Sequence, residues 1–143
     1  RLDADVEAPA PQPVARVVAR DGQIVDNGPM DLEALLVHSG ASESQIEELV
    51  AVGLISPDVR GRYSQQNLRT VRLAMEITRK GVPLRNLRAV RASAEREADT
   101  IEQAVAPRRS RSRSAGEETA RELAELVADL HTILLRRAID ALG

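Results

Sequence analysis

The chain has 143 residues, of which 43% are hydrophobic and 29% charged, with a net charge of −2. That suits one ordinary domain, or a small domain with a helical appendage, and is too short for two full cores. With so little net charge, any face meant for nucleic acid or an anionic membrane has to be a local one. The absence of cysteine excludes disulfides, thiolate metal sites and cysteine nucleophiles, and favours the cytosol. A single aromatic residue, Tyr63, excludes base-stacking platforms and aromatic cages. No stretch approaches the roughly 20 apolar residues of a membrane span, and no signal-peptide pattern opens the chain, so a soluble cytoplasmic protein with no membrane partner is expected. The first residue is Arg1 rather than methionine, and the expectation is a piece of a longer protein.

Residues 1–13 hold three of the seven prolines among alanines and acids, the composition of an extended linker. Over 14–30, the apolar runs Val17-Val18-Ala19 and Ile24-Val25 flank Asp21-Gly22, a pair suited to a tight turn, which predicts a small β-hairpin. Helical periodicity starts after Asn27-Gly28-Pro29. Asp31 caps a first helix with Leu32, Leu35 and Leu36 on one face, closed by Gly40. Ser42 and Gln45 form a capping box for a second helix carrying Ile46, Leu49 and Val50 and ending at Gly53. Two short helices so tightly joined have the layout of a helix-turn-helix.

Leu54-Ile55 before Pro57 reads as an extended exit, and Val59 to Tyr63 with Gly61 as a turn sized for a small wing. A third helix from Ser64 to Lys80-Gly81 carries Leu68, Val71, Met75 and Ile77. Pro83 opens a fourth helix with the apolar seam Leu87, Val90, Ala94, Ala98, Ile101 and Val105. Pro107 is expected to end it, with a loop over 107–115 and a fifth helix capped by Ser114 and Glu117. That helix, about 25 residues and about 38 Å long, exceeds what the small head can cover. A second subunit is its natural cover, through Leu123, Leu126, Val127, Leu130, Ile133 and Leu134.

Charge is distributed unevenly. Residues 31–56 contain the acids Asp31, Glu33, Glu43, Glu47 and Glu48 and no lysine or arginine, a local charge of −5. Duplex affinity comes largely from cations that displace counterions from phosphates. A second helix bearing Glu43, Glu47 and Glu48 therefore reads as architectural. Residues 57–92 carry nine cations against Asp58 and Glu76, a local charge of +7. Within them, Arg60, Arg62, Arg69, Arg72 and Arg88 are the candidates for contact with an anion or with nucleic acid. Arginine outnumbers lysine 19 to one in the whole chain, so a solvated basic face is the plainer explanation. Arg108, Arg109, Arg111 and Arg113 form a second cluster, read as a solvated loop.

Chemistry finds little footing. His38 and His131 stand alone without metal-ligand spacing, and the acid pairs are ordinary helix acids. Neither a glycine-rich phosphate loop nor a Gly-x-Ser-x-Gly elbow occurs. The expectation is no enzyme, no catalytic or metal residue and no cofactor.

The order of residues from Leu32 to Val90 resembles the winged-helix head of MerR-family transcription regulators. Ser39-Gly40-Ala41-Ser42 stands at the helix–helix turn, Gly53-Leu54-Ile55 and Pro57 follow the second helix, Gly61-Arg62-Tyr63 leads to Asn67-Leu68, and Lys80-Gly81-Val82-Pro83-Leu84 precedes Asn86-Leu87. Where the family carries an arginine and two aromatics in the second helix, this chain has Glu47, Glu48 and Leu49, which argues against DNA reading by this unit. Leu87 to Val90 through Ala94 and Arg96-Glu97, then Ile101 to Pro107 and Glu117 to Ala124 look like the C-terminal part of the actinobacterial FtsR-like branch, which controls cell-division genes. The resemblance implies a separate DNA-binding head ahead of this chain.

The expected fold is therefore mainly all-α. A degenerate winged-helix/helix-turn-helix unit spans 31–92, with a small β-hairpin or wing, and two long antiparallel helices over 84–143 form a dimerisation and effector region. The expected role is the effector and dimerisation domain of a DNA-binding regulator. It works as a homodimer, meets DNA only through the full-length protein, and takes an unidentified small-molecule effector in a cleft near Arg72 and Arg88. The rivals are a winged helix that binds DNA directly through its basic wing and third helix, and a protein-interaction module docking a partner on Glu43 and Glu47.

Overall fold

The computed structural model describes residues 17–20 and 23–143, with side chains from residue 27 onward. The linker expected over 1–13 and the Asp21-Gly22 turn lie outside the described residues. Strands β1 (Val17–Arg20) and β2 (Gln23–Asp26) pair antiparallel, with Val18 opposite Val25 and Ala19 opposite Ile24. Five α-helices follow: α1 (Leu32–Ser39), α2 (Glu43–Ala51), α3 (Gln65–Arg79), α4 (Arg88–Arg111) and α5 (Arg113–Leu142), with a 3-10 turn over Leu84–Leu87 leading into α4. The chain divides into two compact units, residues up to Arg88 and residues Ala89–Gly143.

Local chemistry sets the ends of the first three helices. The Asp31 carboxylate accepts the Ala34 N–H at 2.9 Å, and Ser42 and Gln45 bond reciprocally as a capping box. Ser64 Oγ accepts the Asn67 N–H at 3.0 Å. These caps satisfy donors that the first helical turn leaves without intrahelical partners. Gly40 ends α1 at φ 75°, a conformation open to glycine at little cost. One apolar core joins α1, α2, α3 and the 3-10 turn: Leu35, Leu49 and Val71 are fully buried, and Ile46, Leu84 and Leu87 nearly so. On α3 the inward stripe is Leu68, Val71, Ala74 and Met75, while Ile77 faces solvent.

The expected wing does not form among the described residues. Asp58 to Arg62 makes a tight turn instead, with the Arg60 and Arg62 N–H groups each 2.9 Å from Asp58 Oδ1. Tyr63 then forms a single bridge with Met30, its carbonyl accepting at 2.8 Å and its N–H donating at 2.7 Å. Five residues leave no length for a strand pair, and the Asp58 carboxylate closes the loop on itself.

In the second unit, α4 continues through Pro107 to Arg111, and Ser112 alone joins it to α5. This corrects the loop expected over 107–115. The missing N–H of Pro107 costs one intrahelical bond, and the last turn is held by other means. Arg109 grips Glu102 with two hydrogen bonds, at 2.6 and 3.0 Å, and Ser110 Oγ donates to the Ala106 carbonyl. The three arginines of this turn also complement the negative end of the helix dipole. Ser112, not Ser114, caps α5 by accepting the Ala115 N–H.

Candidate functional site

The outward face of α2 is acidic. Ile46 and Leu49 point into the core while Glu43, Glu47 and Glu48 are exposed. Leu32, Ile46, Val50 and Tyr63 floor a shallow groove of about 240 Å³ with Glu43 and Glu47 on its rim. The helix that would face DNA in a helix-turn-helix therefore presents carboxylates to solvent.

The candidate arginines divide. Arg72 Nε and Nη2 both donate to the His38 carbonyl, at 3.2 and 3.0 Å, tying α3 to the C-terminal end of α1. Arg62 Nη2 donates to the Pro29 carbonyl at 2.7 Å. Each of these side chains thus satisfies a backbone acceptor of its own unit. Arg60, Arg69 and Arg88 are exposed. The backbone N–H of Arg62 is the main cause that holds the Asp58 carboxyl below its ordinary value, with desolvation opposing and the Arg60 N–H assisting.

On α5 the six residues expected at a dimer seam fall on two faces. Leu123 and Val127 are half-buried, in line with the buried Gly116 and the half-buried His131. Leu126, Leu130 and Ile133 are exposed, at 64%, 55% and 64%, and Leu134 lies at the border, at 41%. Periodicity alone cannot split the set, because the apolar residues cover much more than one stripe and α4 claims only part of them.

The α4–α5 contact is tight near the joint and open at the far end. Val105 is fully buried and Gly116 sits against the Arg109 backbone, whereas Val90 and Leu135 are more than half exposed. A groove of about 510 Å³ occupies the open end, walled by Val90, Ser93, Ala94 and Glu97 of α4 and by Ala128, His131 and Leu135 of α5. Within it, His131 Nδ1 lies 2.5 Å from Glu97 Oε2. From the sequence His131 reads as a partly buried interface residue, and Glu97 carries no site role there. The available signal was a glutamate at helical spacing between Ala94 and Ile101 on an otherwise apolar seam.

Among the described residues there is no cluster of metal-ligating side chains, and no helix is long and apolar enough to cross a membrane.

Comparison with known proteins places the chain. The family model for the Rv1828-like C-terminal domain matches residues 29–143. Two curated relatives, the uncharacterised HTH-type transcriptional regulators Rv1828 of Mycobacterium tuberculosis and Mb1859 of Mycobacterium bovis, are each 30% identical over 111 residues. The match takes in 75% of this chain and 45% of each relative, so the chain spans about half the length of these proteins. The matched segment runs from the Met30–Tyr63 bridge to the end of α5 and leaves out the β1–β2 ribbon. The chain belongs to the Rv1828-like C-terminal domain family.

Proposed function

We propose that this chain is the effector and dimerisation module of a MerR-type transcription regulator whose DNA is read by a separate N-terminal head. The observation that carries this reading is the sign of the exposed charge on α2. Glu43, Glu47 and Glu48 stand where a recognition helix needs cations. The relatives are named as transcriptional regulators, which supports a role in transcription, and the resemblance to the FtsR-like branch supports cell-division genes as targets. The engagement of Arg62 and Arg72 with backbone carbonyls occupies two of the four cations that direct DNA binding through the wing and third helix would use.

The mechanism is geometric. Two copies associate through the exposed Leu126, Leu130 and Ile133 stripe of α5, and the dimer fixes the spacing of two heads on a palindromic site. The test is duplex binding by this chain across a salt series. No saturable binding is expected, and micromolar binding with a steep salt slope would favour the rival winged helix acting through Arg60 and Arg69. For association, sedimentation of Leu130→Arg beside wild type should show a shift to monomer. An unchanged dimer would remove α5 from the interface.

A further inference from the structure

We propose that the groove between α4 and α5 binds a hydrophobic amine, and that this is the effector site of the module; the inference deepens the effector reading above and rests on it. The groove's volume of about 510 Å³ falls within the roughly 300–1,000 Å³ usual for small-molecule sites. Its walls are mainly apolar, and its room comes from small side chains, Ala94 and Ala128, at positions where leucine would fill it. Among its polar residues, Ser93, Glu97, His131 and Thr132, the one carboxylate is Glu97. Its Oε2 meets His131 Nδ1 at 2.5 Å and accepts from Ser93 Oγ at 3.5 Å, while Oε1 accepts no hydrogen bond from the described residues. An apolar wall with a carboxylate whose side chain is 35% exposed is complementary to an apolar body carrying a protonated amine.

The groove and the leucine stripe are separate surfaces. At about 100° per residue, Ala128, Thr132 and Leu135 point to the side of α5 opposite Leu126, Leu130 and Ile133, with Leu123 and Val127 facing α4 between them. A second copy seated on the leucine stripe therefore leaves the groove open. A ligand that wedges α4 and α5 at their open end acts on the helix that carries the stripe, which couples occupancy to the geometry of the dimer.

The test uses three probes of one apolar body: phenylbutylamine, phenylbutanol and phenylbutyrate. Each is titrated into the 143-residue chain and followed by the amide shifts of residues 89–97 and 128–135. The amine should bind about tenfold or more tightly than the alcohol, as expected for a charge-assisted hydrogen bond, with the carboxylate weakest. Glu97→Gln should bring the amine to the level of the alcohol and leave the alcohol unchanged. Ala128→Leu, a swap between two good helix formers, should abolish all three while helix content by circular dichroism stays constant.

Equal affinity for amine and alcohol, amine binding that survives Glu97→Gln, or no saturable shifts in the groove would overturn the proposal. So would a change in the sedimentation of Ala128→Leu, which would assign the groove to a second copy of the chain. The titrations are repeated on Leu130→Arg. Loss of the dimer and loss of the ligand site are then read separately, and neither readout involves DNA.

Discussion

Gly116 lies so close beneath Arg109 that a Cβ built on it would stand 2.9 Å from the Arg109 Cα. The two long helices meet at this point, and only a hydrogen in place of a side chain permits the approach. In an exposed helix, Gly→Ala would gain about 1 kcal/mol of helix propensity. Here the obstructing atoms are backbone, so overpacking of about 1–3 kcal/mol outweighs that gain. Gly116→Ala is expected to lower the urea midpoint, and a raised midpoint would show that the helices part at no cost.

Pro107 sits inside α4 and leaves the Gln103 carbonyl without its intrahelical donor. The last turn forms nonetheless, through the Arg109–Glu102 pair and the single-residue joint at Ser112. Replacing Pro107 with alanine restores the donor and removes the ring from the preceding turn. The variant is expected to gain about 1–3 kcal/mol in chemical unfolding. A loss would mean that α5 depends on a bend set by the proline.

These two positions mark the boundary of what was legible in the residues. Asp31, Ser42 with Gln45, Ser64 and Gly40 act on neighbours three or four residues away, so both ends of α1 and the starts of α2 and α3 follow from local chemistry. The continuation of α4 past Pro107 depends on Glu102, seven residues before Arg109, and on the fit of Gly116, which local propensity does not report. The division of the α5 leucines was hidden for a related reason. Which of Leu123 and Leu126 turns inward is decided by where α4 lies. Glu97 stood out only once His131, 34 residues away, was brought beside it.

Arg72 was likewise a surface cation in the sequence and is an anchor in the fold. Its guanidinium spans from α3 to the His38 carbonyl, an acceptor that α1 leaves without a partner at its end. Arg72→Ala is expected to cost about 1 kcal/mol in thermal unfolding, the worth of an ordinary exposed hydrogen-bond pair. Arg72→Lys should recover only part, because a point charge cannot reproduce the two-pronged contact. Arg69→Ala, on the same helix, should change stability little. Equal effects at both positions would remove the anchoring role.

Two carboxylates give the molecule an acid-side signature, one in each unit. The Asp58 pKa is lowered chiefly by the Arg62 N–H, and that of Glu102 chiefly by its hydrogen bonds from Arg109, against desolvation in both cases. A carboxyl whose folded pKa lies below its unfolded value contributes stability above the unfolded value, about 4, and loses it as pH falls through the folded one. Asp58→Asn and Glu102→Gln keep the shape and remove the charge. Each should be less stable than wild type at neutral pH, and the gap should close as pH falls through the lowered folded value, where the wild-type carboxyl takes up its proton. Both groups are exposed, so the gaps should also narrow with salt. Urea midpoints across that range decide the matter: a gap that stays constant with pH would show that the charge contributes nothing and that shape alone holds these turns.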